Sequence, residues 1–120
     1  MTYYIQIGTT NYDDDRLLLR KVLGNLESKC QVTDGYLLGE PMSKFGWTFF
    51  DLLLKPNLHL SIEEEFTDMI KKSKGSKPTE KFIDFLSNYF ANNNCNVKLK
   101  FIEFTSTLLP LLPPFFLVVS

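Results

Sequence analysis

Apolar and polar positions change period several times along the chain, and each change marks an element. Tyr3, Ile5 and Ile7 alternate with Tyr4 and Gln6, the period of a strand, which Gly8 and Thr9-Thr10-Asn11 bring to an end. From Asp13 the period lengthens: Leu19, Val22, Leu23 and Leu26 fall at i, i+3, i+4 and i+7, which predicts an amphipathic helix. Asp13, Asp14 and Asp15 in its first turn suit the free N–H groups and the positive end of the helix dipole. In CQVTDGYLLGEP, Asp34-Gly35 separates two short β-prone runs and predicts a hairpin.

Residues 45–54 fit two periods. Phe45, Trp47 and Phe49 alternate as in a strand, whereas Phe49, Leu52 and Leu53 share a helical face; Gly46 and the aromatic content favour the strand. Ser61-Ile62-Glu63-Glu64 has the form of a capping box and predicts that a second helix starts there, with Ile62, Phe66, Met69 and Ile70 on one face and Lys-Ser-Lys-Gly closing it. A third helix follows Pro78, carrying Phe82, Phe85, Leu86 and Tyr89 as a stripe widened by Ile83 and Phe90, and Asn92-Asn93-Asn94 stops it. Val97, Leu99 and Phe101 then alternate with Lys98 and Lys100 in a strand with one wet face, whose phase slips at Ile102-Glu103-Phe104.

The last segment, Leu108 to Ser120, is almost wholly apolar and holds three prolines. It is shorter than the roughly 20 apolar residues of a membrane helix. Its Pro110-Leu-Leu-Pro113 reads as a buried extended connection, and Phe115 to Val119 as a final strand packed in the core or in a dimer seam. The order of these elements predicts one globular α+β domain over residues 1–120, a mainly antiparallel sheet with about three helices packed on it.

Composition narrows the function. At 44% hydrophobic and 22% charged, with a net charge of −1, the chain has the make-up of a soluble globular protein and no global field for a polyanion, so direct nucleic-acid binding is not expected. Cys30 and Cys95 have neither disulfide-scaffold nor metal-ligand spacing, and the N-terminus lacks a signal-peptide pattern; free thiols and a cytoplasmic setting are expected. His59 is the sole histidine, flanked by Leu58 and Leu60, and reads as a solvent-facing or edge residue of a strand. No nucleophile elbow, phosphate-binding glycine loop, calcium loop or zinc spacing is present, so neither catalysis nor a cofactor nor a metal is expected. Trp47 between Phe45 and Phe49 reads as core, or as an exposed anchor of an interface.

A small chain with acidic runs, many aromatics and no catalytic set resembles, in general character, the small bacterial immunity proteins of contact-dependent growth inhibition systems. The resemblance implies that the chain binds a cognate protein toxin, possibly a nuclease, and blocks its active site with acidic side chains. The expected contacts are Tyr12, Asp13, Asp14 and Asp15, with Glu63 and Glu65 second. The alternative is a homo-oligomeric structural or regulatory subunit joined through the apolar C-terminal segment.

Overall fold

The computed structural model describes residues 3–102. The first strand, β1 (Tyr3–Thr9), turns Tyr3, Ile5 and Ile7 into the core and Tyr4 and Gln6 away from it. It occupies the interior of the sheet, bonded on one side to β4 (Trp47–Leu54) and on the other to β5 (Lys98–Ile102), antiparallel in both cases. Ile5 faces Leu52 and Phe101 across these ladders, and Ile7 faces Phe50 and Leu99, so one face of the sheet is continuously apolar.

That face is covered by helices. In α1 (Tyr12–Cys30) the buried residues are Leu19, Val22, Leu23 and Leu26, the four whose spacing defines the stripe. α2 (Pro56–Glu65) contributes Leu58, His59 and Ile62, and α4 (Pro78–Asn92) contributes Phe82, Phe85, Leu86 and Phe90. The short α3 (Thr67–Lys71) lies between them and buries no residue fully. The α+β class and the antiparallel sheet follow the sequence expectation, with four helical segments where about three were expected.

The outer edge beside β4 is made in two pieces. β2 (Tyr36–Leu38) pairs with Leu52–Leu54, and β3 (Met42–Lys44) pairs with Trp47–Phe49. Gly39 N–H still donates to Asp51 O at 2.8 Å between them, but Pro41 has no N–H to continue the ladder. Counting β2 and β3 as one interrupted strand and α2 to α4 as one helical layer, the connectivity is that of a split β-α-β unit with strand order β2-β4-β1-β5. Both helical layers fall on one side; on the other, Leu37, Asp51, Lys98 and Lys100 are exposed and Tyr4, Gln6, Leu53 and Ile102 half-buried.

Four local expectations are corrected. Asp34-Gly35 does not form a hairpin: residues 31–35 connect α1 to β2, starting from Gln31, which ends α1 in the left-handed conformation. Asp34 is left-handed too (φ 55°), so the turn chemistry was real, but no strand precedes it. The hairpin lies at Phe45-Gly46, whose φ values of 55° and 80° give the two left-handed positions of a tight turn between β3 and β4. Residues 47–54 are indeed strand, and Phe45 belongs to the turn.

The second helix begins at Pro56, not Ser61. Both α2 and α4 open on the same Lys-Pro pair: Lys55 and Lys77 are extended (ψ 158° and 153°) because the following proline disfavours the helical region, and the proline fills the first helical position. Ser61 therefore sits inside α2. The predicted helix is also broken at Phe66, where the Thr67 hydroxyl donates to Glu63 O and Glu64 O at 2.6 and 2.9 Å. The expected strand at Phe115–Val119 and the phase slip after Ile102 lie outside the described residues.

Candidate functional site

The acidic run opens α1 directly after β1. Thr9 hydroxyl donates to Asp15 Oδ2 and accepts from Asn11 N–H at 2.9 Å, which ties the start of the helix to the end of the strand. Asp15 is thereby a structural residue, half-buried, with its backbone carbonyl 3.9 Å from Cys95 Sγ. Tyr12 packs edge-on against Phe50 at 5.5 Å, and Arg16 Nη1 donates to Tyr12 Oη at 2.9 Å and to Gly39 O at 3.4 Å. The guanidinium is committed to these partners, 5.7 Å from both the Tyr12 and Phe50 ring centres.

Asp13 and Asp14 are left exposed; Asp14 accepts from the Asn11 side chain at 3.1 Å. Among the described residues neither takes part in an ion pair. The result is two carboxylates projecting from a base that Tyr12, Asp15 and Thr9 hold fixed.

Glu63 and Glu65 are elsewhere. Glu63 lies at the far end of β1, its Oε1 3.4 Å from His59 Nδ1, while His59 stacks on Tyr3 with ring centres 4.3 Å apart. Tyr3 and Thr9 bound a seven-residue strand, roughly 20 Å at about 3.3 Å per residue, so the two acidic groups stand beyond opposite ends of β1. Glu65 is exposed and close enough to Cys30, at the C-terminal end of α1, to add to the upward shift that burial imposes on that thiol. The six expected contact residues thus divide into one end with Tyr12 to Asp15 and another with Glu63 and Glu65.

His59 corrects the sequence reading: it is 4% exposed, on a helix, and part of the core beneath Tyr3. Burial, then the Glu63 charge, raises the Tyr3 hydroxyl above its ordinary pKa. Cys30 and Cys95 are both free. Cys95 is buried, and that burial, with Asp15 nearby, pushes its thiol up to about 11, the behaviour of a structural cysteine and the reverse of an activated nucleophile. Among the described residues no three His, Cys, Asp or Glu side chains gather as metal ligands, and no helix is long and apolar enough to cross a membrane.

The outer sheet face is the feature that sequence reading missed. Trp47 is half-buried on this face, not in the core, with its ring nearly parallel to that of Phe49 (16°, centres 6.3 Å apart). Both rings lie over Gly8, where an added Cβ would meet Phe49 Cε1 at 3.1 Å and Trp47 Cε3 at 3.6 Å. Lys98 Nζ sits 5.3 Å from the Trp47 ring centre. Lys98, Lys100, Gln6, Trp47 and Phe49 line a shallow depression of about 460 Å³. At its rim the hairpin turn holds Phe45 90% exposed, beside Met42 at 68%. The wet side of β5 was legible from Lys98 and Lys100, but the strand pairing that places them beside Phe49 and Trp47 was not.

Compared with known proteins, the chain matches no family model, no curated protein and no solved structure.

Proposed function

We propose that the chain is a toxin-neutralising immunity protein, acting by binding a cognate protein toxin and occluding its active site, without catalysis of its own. The observation that carries this reading is the start of α1, where Asp13 and Asp14 face solvent, without cationic partners among the described residues, on a base fixed by Tyr12, Asp15 and Thr9. Carboxylates held this way lose little freedom on binding and attract a basic cleft, raising the encounter rate and setting orientation. Arg16 would weaken that attraction were it turned toward Asp13; its bonds to Tyr12 and Gly39 direct it elsewhere.

Glu63 and Glu65 would meet only a partner that wraps along the helical side, which makes them secondary in this mechanism. The test is growth protection and binding against candidate toxins taken from the reading frames adjacent to its own. Asp13→Lys with Asp14→Lys should weaken binding at least tenfold, and wild-type affinity should fall as salt rises. Unchanged protection and affinity in the double variant would remove the reading.

A further inference from the structure

The pairing register sorts the outer sheet face into three rows. One row is apolar: Leu37 from β2, Leu53 from β4, Tyr4 from β1 and Ile102 from β5. The middle row is polar: Asp51, Gln6 and Lys100 on β4, β1 and β5. The third is aromatic and basic: Phe49, Gly8 and Lys98, flanked by Trp47. Within every row the β4 residue and the β5 residue are chemical complements, aliphatic with aliphatic, carboxylate with ammonium, aromatic ring with ammonium.

From that arrangement we propose that two copies of this chain pair face to face through the outer surface of the sheet, about a two-fold axis running along β1. A half-turn about such an axis keeps each row at its own level and exchanges β4 with β5. Asp51 of one copy then meets Lys100 of the other, and Lys100 meets Asp51. Lys98, already 5.3 Å from the Trp47 ring centre of its own copy, is brought to the Phe49 ring of the second, and Leu53 meets Ile102. Gly8 lies at the axis beneath its own Phe49 and Trp47 rings, and its missing Cβ is what lets those rings lie flat on the sheet. Aligned packing of two twisted sheets is an ordinary geometry for such a contact.

Three properties select a second copy as the occupant. The complementarity is internal to the face, so no other molecule is needed to explain it. Asp51 and Lys100 are both exposed and flank Gln6 on opposite sides, two strand spacings or roughly 10 Å apart, and among the described residues they form no ion pair with one another. Leu37, 51% exposed, gives the apolar row a reason to be covered. The face measures roughly 19 by 23 Å from strand spacing and rise, about 440 Å² per copy, below the stable size class and in the range of weak, transient pairs. The expected pair therefore dissociates at micromolar concentration. This pairing is independent of toxin binding, because α1 opens on the helical side of the sheet.

Sedimentation equilibrium of the full chain between about 1 and 200 μM tests the proposal. Wild type should pass from monomer to dimer across that range. Asp51→Lys alone and Lys100→Asp alone each place like charges in both contacts and should weaken dimerisation at least tenfold. An equimolar mixture of the two variants should recover a mixed dimer, since every contact then pairs a lysine with an aspartate. Both residues are exposed, so circular dichroism of the variants should match wild type. A wild-type chain that stays monomeric, single variants that dimerise like wild type, or a mixture that fails to recover would each overturn the proposal. A monomer whose outer face is occupied by residues 103–120, or by another protein, would show itself as the first of these.

Discussion

Gly35→Ala is the most informative single substitution, because the space at that position is measurable. A Cβ at residue 35 would stand 2.6 Å from Leu58 Cβ and 3.1 Å from both Leu58 Cδ2 and Val32 Cγ1. Leu58 is fully buried, and its Cβ moves only with the backbone of α2. Residue 35 is itself tethered: its N–H donates to Glu27 Oε2 at 2.8 Å, and its carbonyl accepts from Lys55 N–H at 2.9 Å. Relief of the clash must displace the connection to β2 or the start of α2. Overpacking of this kind costs about 1–3 kcal/mol, and reduced freedom of the unfolded chain returns about 0.4–1. The net loss is about 1–2 kcal/mol, or roughly 5–10 °C in Tm for a domain of this size. Gly24→Ala is the control with the opposite sign. Gly24 lies inside α1 with nothing within 4 Å of an added Cβ, so alanine there should stabilise by about 0.5–1 kcal/mol. Thermal melting followed by circular dichroism measures both. A Gly35→Ala protein as stable as wild type, or both variants shifting in the same direction, would refute the packing argument.

His59→Ala should destabilise by about 2–4 kcal/mol, because it empties the core beneath Tyr3, while Leu60→Ala on the exposed side of α2 should stay within about 0.5; urea denaturation of the pair checks this. Phe45→Asn should raise stability by about 0.5–1 kcal/mol, since asparagine accepts the left-handed conformation that phenylalanine resists in the β3–β4 turn. Glu80 accepts from Ser76 N–H at 2.8 Å, from the Ser76 hydroxyl at 3.2 Å and from Lys77 N–H at 3.3 Å, and the backbone bonds hold its carboxyl below the ordinary range. Its contribution is therefore complete above the ordinary glutamate pKa and disappears as pH falls through the lowered folded value. Glu80→Gln should flatten that part of the acid limb, measured as melting temperature against pH.

The sequence was most legible where one face of an element is buried and periodic. The α1 stripe and the α4 phenylalanines needed no tertiary information, because burial of each stripe satisfies the period already written in it. Signals that report only local backbone conformation misled. Asp34-Gly35 spoke truly of a left-handed residue, yet glycine is required there for room against Leu58, a contact made across 23 positions of chain. Ser61 and Glu64 had the right residues for a cap, but Pro56 had already started the helix five residues earlier. His59 looked exposed under a strand period and is buried under a helical one. The outer-face rows escaped for a different reason: they exist only in the register of β4, β1 and β5, which no single segment contains.

The interior position of β1 also has a consequence in time. Tyr4 pairs with Leu53 on one side and with Ile102 on the other, 98 positions later. At synthesis rates of about 5–20 residues per second, the first strand leaves the ribosome roughly 5–20 seconds before its second neighbour exists. During that interval Ile5 and Ile7 lie beside an unfilled strand slot, and any segment offering a compatible edge competes for it. Vectorial synthesis can therefore assemble α1 and the β4 hairpin early, but it cannot close the sheet until nearly every described residue has been made.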